Sequence, residues 1–219
     1  MTRMTTITTQ KGGVGKTTTA LALAEGLRLR GYSVLLVDAD QQQNSSGSMR
    51  ANRDGKGVYE ALKGIKAADL IQHTENGDIL PATDSLIGAD VEFAGKLDVF
   101  RKALQPLRKY YDHVIIDTPP SISAIMLAAI AASTDLIIPL GANYYSMQGL
   151  EQLLYCLQQV KEATGEEPRI AGLLVTQYAG RKTLAKQMSE ALKTRTQALR
   201  VHVYETSIRS SAAVEKAQA

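Results

Sequence analysis

The sequence predicts an α/β fold, doubly wound, in which helices cover both faces of a mostly parallel sheet. Three observations lead there. Short apolar or β-branched runs alternate along the chain with segments of helical period. Most of these runs are apolar at successive positions, as strands covered on both faces must be. A glycine-rich loop joins the first run to the first helical segment, in the strand–loop–helix order of a phosphate-binding unit.

The elements follow in turn. Thr5–Thr9 is a β-branched run, and Val34–Val37, Val114–Ile116, Leu136–Ile138 and Ile170–Val175 are the apolar ones. Between them, helical spacing predicts helices over Thr17–Arg30, Val91–Lys109, Ile122–Ala132, Met147–Thr164 and Leu184–Thr194. Gly31 and Gly165 stand where two of these helices stop, the place of a C-terminal cap. Strands separated by helices close into a parallel sheet through right-handed crossovers. Gln41–Gly57, rich in Gln, Ser, Asn and Gly, breaks the pattern and is expected to be a mobile functional loop. Apolar periodicity resumes directly after it, so residues 1–219 read as a single domain.

Composition narrows the function classes. A net charge of only +3 over 219 residues excludes a polycation coated with nucleic acid on every side. The lone cysteine, Cys156, excludes an internal disulfide and a multi-cysteine metal site, and it reads as core in an apolar helix. His73, His113 and His202 are spaced too widely for a metal motif. The longest unbroken apolar run, Ala124–Ala132, is far too short to cross a bilayer. The N-terminus reaches Lys11-Gly12-Gly13 before any signal-peptide core, so the expected location is the cytoplasm. The small net charge hides an asymmetry. From Tyr178 onward eight basic residues face three acidic ones, so this segment carries +5 and the remainder −2.

The residues with chemistry lie at the ends of predicted strands. Gly12, Gly13, Val14, Gly15, Lys16, Thr17 and Thr18 form a loop entering a helix, where backbone N–H groups and the helix dipole converge on phosphate oxygens. Lys16 is placed to reach the β- and γ-phosphates, and the Thr17 hydroxyl to ligate Mg2+. Asp38 and Asp40 close one strand and Asp117 another, facing the crevice where parallel sheets bind ligands. Asp117 follows Val-Ile-Ile, the Walker B arrangement, and is expected to hold Mg2+ directly or through water.

The phosphate loop departs from the strict pattern at Gln10, where glycine is usual, and carries a second lysine, Lys11. Lys-Gly-Gly-Val-Gly-Lys-Thr is the deviant Walker A motif, and with it the sequence resembles the ParA/MinD ATPases from Met4 to Ala217. Asn143-Tyr144-Tyr145-Ser146-Met147-Gln148-Gly149-Leu150 is similar to the Tyr-Tyr-x-x-x-Gly-Leu stretch of ParA proteins, as is Asp112 to Ser121 to their Walker B region. No DNA-binding region precedes the phosphate loop, so the resemblance is to short, Soj-like ParA proteins. These run on for a further strand and helix, which implies that 219 residues is a shortened form.

The resemblance implies an ATPase that uses ATP and Mg2+, forms a homodimer around two nucleotides, binds DNA nonspecifically and is stimulated by a ParB-like partner. It implies that Lys11 reaches the partner's nucleotide, that Asp40 orients the attacking water and that Asp38 supports the metal. It also implies that the strand end Thr176-Gln177-Tyr178 and the segment around Ile208-Arg209 frame the adenine, and that Arg181, Lys182 and Arg209 touch DNA, placing the protein on the nucleoid when ATP is bound. After Asp40 the family continues Pro-Gln-Gly-Asn, whereas this chain has Gln41-Gln42-Gln43-Asn44, which alters the stiffness and allowed dihedrals of that loop. Two other readings compete. A MinD-like membrane-surface ATPase would need an amphipathic C-terminal helix, and Ser210–Ala219 is short and weakly amphipathic. A positioning ATPase for a protein cargo would share the whole motif set.

Overall fold

The computed structural model describes residues 2–141, 146–178 and 201–211. Along the chain come β1 (Arg3–Ile7), α1 (Lys16–Arg28), β2 (Val34–Asp38), α2 (Asn44–Ser48), α3 (Val58–Leu62), β3 (Gln72–Thr74) and β4 (Gly77–Leu80). Then follow α4 (Ala89–Glu92), α5 (Val99–Leu104), β5 (His113–Asp117), α6 (Ala124–Ala132), β6 (Asp135–Gly141), α7 (Ser146–Thr164), β7 (Arg169–Tyr178) and β8 (Val203–Arg209). All eight strands join one sheet in the order β3-β4-β2-β5-β1-β6-β7-β8, antiparallel only between β3 and β4. This is the α/β, mostly parallel, P-loop architecture that the alternating pattern predicts.

Period-two alternation within the central strands distributes their side chains to two cores. Leu35, Val37, Val114 and Ile116 pack with Phe100, Leu104 and Ala128 of α5 and α6 on one face. Leu36, Ile115 and Ile7 pack with Ala20 of α1 on the other. Further along, Leu136, Ile138 and Leu140 of β6 meet Leu150 and Leu153 of α7. Phe100 is fully buried, and its truncation to alanine is the kind of change that costs about 3–5 kcal/mol. β1 leads through α1 to β2 on one side, while β5 leads through α6 to β6 on the other. The winding direction therefore reverses around β1, and ligands bind at such switch points, outside the C-terminal strand ends.

Several expectations are corrected. The first strand ends at Ile7, before Thr8 and Thr9. Val91–Lys109 is not one helix but α4, α5 and a 3-10 turn over Gln105–Lys109, broken by Gly95 in a left-handed conformation and by Pro106. Gln41–Gly57 is not all loop: residues 44–48 form α2, with Ser45 and Ser46 completely buried. Three strands escape the apolar-run criterion: β3 and β4 because they are short and polar, and β8 because most of it is exposed. Gly31 and Gly165 do take the left-handed conformation of caps. The predicted helix Leu184–Thr194 and the Tyr144-Tyr145 pair lie outside the described residues. Among the described residues, no helix is long and apolar enough to cross a membrane.

Candidate active site

The phosphate loop leaves the end of β1 and turns into α1. Gly13 and Gly15 adopt φ of 68° and 82°, a region in which a Cβ is strained, and this frees the loop to curl over the helix start. The loop is tied down from β7. The Thr176 hydroxyl donates to the Val14 carbonyl at 2.7 Å, and the Gln177 side-chain amide donates to the Gly13 carbonyl. Val14 is buried, so its backbone rather than its side chain belongs to the site.

A cavity of about 470 Å³ opens over this loop. Gly12, Gly13, Gly15, Lys16, Thr17 and Thr18 form its floor, Asp40, Gln42 and Asn44 one wall, and Thr176, Gln177, Ile208 and Arg209 the other. The structure thus brings together the phosphate loop, Asp40 and the predicted base-framing residues Gln177 and Ile208. Arg209, expected both near the base and on the DNA side, lines the same cavity. Arg181 and Lys182 lie outside the described residues. Lys11 is exposed beside the loop.

Charge is concentrated beneath the cavity floor. Asp38 and Asp117 are direct register partners across the β2–β5 pair, so two carboxylates lie side by side in the sheet interior. Burial pushes the Asp38 carboxyl above its usual range, and the neighbouring Asp117 pushes it further. Asp117 is raised as well, chiefly by burial, although the hydroxyls of Thr17 and Ser45 and the charge of Lys16 favour its ionised form. Burial also lowers the pKa of the Lys16 ammonium, against the pull of Asp117 and Asp40. Its Nζ donates to the Lys11 carbonyl at 3.2 Å. Asp40, also buried, is raised by that burial, while the Gln42 backbone N–H and Lys16 act in the opposite sense.

The donors around Asp117 suit Mg2+. Asp117 Oδ2 accepts from Thr17 Oγ1 at 2.7 Å and from Ser45 Oγ at 2.8 Å, while Oδ1 is buried and has no hydrogen-bond partner. No group of three or more His, Cys, Asp or Glu side chains among the described residues is arranged to hold a metal ion by itself. One orphaned carboxylate oxygen beside a threonine hydroxyl fits a hard cation that takes its other ligands from phosphates and water. Sequence reasoning missed the hydroxyls that hold the acids. Ser46 donates to Asp38 Oδ2 through both its N–H and its hydroxyl, each at 2.7 Å, and its hydroxyl accepts from the Ala82 N–H. The only sequence signal was the adjacent Ser45-Ser46 pair after Asn44, which composition alone assigns to a loop.

Comparison with known proteins settles the family. The family model described as an AAA domain matches residues 2–170. The chromosome-partitioning ATPase Soj of Thermus thermophilus is 40% identical over 191 residues, spanning 87% of this chain and 76% of that one. This chain belongs to the Soj branch of the ParA/MinD ATPase family. The sporulation initiation inhibitor protein Soj of Bacillus subtilis, a further relative, is 36% identical over 88% of this chain and 79% of its own. Solved structures agree on the fold. Cobyrinic acid a,c-diamide synthase from Mycobacterium smegmatis, with bound ATP analog and magnesium, has a TM-score of 0.89 at 30% identity, covering 100% of this chain and 92% of that one. An ATP complex of a McdA variant from Cyanothece has a TM-score of 0.88 at 26% identity, covering 99% and 86%.

Proposed function

We propose that this chain is a DNA-partitioning ATPase that dimerises on ATP, binds DNA without sequence choice and hydrolyses ATP when a ParB-like partner stimulates it. The observation that carries this reading is the convergence of the phosphate loop, Lys16, Asp40 and Asp117 at one end of the sheet. The Soj relatives supply the partition context, and the nucleotide-bound structural neighbours support ATP and Mg2+ as the ligands.

The residues divide the work. Backbone N–H groups of residues 12–18 hold the phosphates, and Lys16 exchanges the Lys11 carbonyl for the β- and γ-phosphates. Gln177 and Ile208 frame the base. Thr17 and Asp117, supported by Asp38, would hold Mg2+, which would supply positive charge beside the phosphate oxygens. Asp40 faces the cavity and orients the attacking water. Lys11 reaches the nucleotide of the other protomer and places a cation on charge developing in transfer. Arg181, Lys182 and the basic C-terminal segment meet DNA phosphates, and Arg209 stands at the boundary between base and DNA. ATP at the interface stabilises the dimer, and its hydrolysis removes that contribution and releases DNA.

Asp40→Ala is expected to retain ATP and to persist as a DNA-bound dimer with hydrolysis abolished. Hydrolysis at the wild-type rate would overturn the assignment of Asp40. DNA binding measured with ATP, ADP and no nucleotide over a range of salt tests the whole reading. Binding that needs ATP and falls steeply with salt supports it, whereas binding that ignores both sinks it. ATP-dependent flotation with liposomes in place of DNA binding would favour a membrane-surface ATPase.

A further inference from the structure

We propose that Ser45 is a positioning residue for the metal: it fixes the Asp117 carboxylate so that Oδ1 is the oxygen left to receive Mg2+ or its water. The proposal rests on the nucleotide reading above and extends it to a residue outside the phosphate loop and the acidic strand ends.

The argument begins with lone pairs. A carboxylate offers about four acceptor sites over its two oxygens, and an unrestrained one rotates to present either. In this structure the two oxygens of Asp117 are unequal. Thr17 Oγ1 and Ser45 Oγ both donate to Oδ2, at 2.7 and 2.8 Å, while Oδ1 is buried with nothing to accept. Leaving a buried carboxylate oxygen unpaired costs about 1–3 kcal/mol or more, so its persistence points to a ligand supplied from outside the chain. Two donors on one oxygen determine which oxygen that is.

The two donors are not equivalent. Thr17 lies in the first turn of α1 and lines the cavity, so its hydroxyl is itself a candidate ligand. Ser45 is fully buried in α2 and does not line the cavity. Among the described residues, its hydroxyl bonds to Asp117 alone. It therefore holds the acid in place whatever the Thr17 hydroxyl does when ligands arrive. Its anchor is firm because its neighbour Ser46 is bonded to Asp38 and to the Ala82 N–H. The same short segment connects to Asp40: the Gln42 N–H donates to Asp40 Oδ1 at 3.0 Å, and the Gln43 N–H to the Asp40 carbonyl at 2.9 Å. Ser45 thus links the acid that holds the metal to the loop that carries the water-orienting acid. Outer partners that orient a metal's ligands typically control its affinity by 10–100-fold.

The test measures nucleotide affinity as a function of Mg2+ concentration, in a binding assay with a non-hydrolysable ATP analogue and no turnover. For Ser45→Ala, the Mg2+ concentration giving half of the Mg2+-dependent gain in affinity is expected to rise about tenfold. Affinity in the presence of a chelator should stay unchanged, since Ser45 does not line the cavity. In an Asp117→Asn background, adding Ser45→Ala should shift the Mg2+ midpoint no further, because the effect runs through that carboxylate. Should the alanine variant fail to fold, Ser45→Cys keeps the volume with only a weak donor and carries the same expectation. A Mg2+ midpoint within twofold of wild type, or a shift that survives undiminished beside Asp117→Asn, overturns the role of Ser45 alone. A wild-type chain whose nucleotide affinity ignores Mg2+ overturns the nucleotide reading and this inference together.

Discussion

Two loops meet at the site, and they hold left-handed backbone by opposite means. The phosphate loop uses glycine, with Gly13 and Gly15 at positive φ and no side chain between their N–H groups and the cavity. The loop after Asp40 uses Gln43, at φ 56°, whose side-chain amide donates to Asp84 Oδ1 at 2.6 Å. The first arrangement leaves backbone donors bare for an incoming anion. The second fills its own space with side chains and directs hydroxyls at buried acids. Positive φ is therefore no measure of function by itself. What matters is whether the chain exposes its backbone there or anchors it.

The largest break in this comparison comes at Lys16, where the phosphate loop supplies its charge. Lys16→Ala should weaken ATP binding by about 100-fold or more, the scale of losing a charge-assisted contact from a desolvated site. Titration with a fluorescent ATP analogue reads this, and an affinity within threefold of wild type would remove Lys16 from the phosphate site. Next comes Gly15→Ala. A Cβ there meets only ordinary contacts with Thr176, so its cost is backbone strain of about 1–2 kcal/mol. That loss should appear as a lower urea midpoint, accompanied by weaker nucleotide binding. The smallest and sharpest pair is at Gln43. Gln43→Ala keeps the strained φ and loses the bond to Asp84, for about 1 kcal/mol of destabilisation. Gln43→Gly loses the same bond but relieves the strain, and should lie within about 0.5 kcal/mol of wild type. If glycine proves as costly as alanine, the strain at residue 43 contributes nothing and the comparison fails.

How far the site could be read from sequence follows from the same contrast. The phosphate loop was legible because its function depends on backbone, and only a narrow set of residues permits that backbone. Asp38 and Asp117 were legible because each ends a strand whose apolar run is unmistakable. Ser45 and Ser46 were not, because hydroxyls in a polar stretch look alike whether they face solvent or a buried acid. Their partners are 72 and 8 residues away. The same reason hid β3, β4 and β8. Short or exposed strands carry no apolar run, and they are held in the sheet by pairing with neighbours that a linear reading does not see.

By itself the sequence determined the five apolar or β-branched strands, the phosphate loop, the acids at the strand ends and the family. These are local facts, written in periodicity, in glycine and in residue spacing. Only the tertiary structure decided that Asp38 and Asp117 share one register, and that Oδ2 of Asp117 is doubly bonded while Oδ1 is left over. These depend on which distant segments the sheet order brings together, and burial then turns that proximity into shifted charge and unequal oxygens.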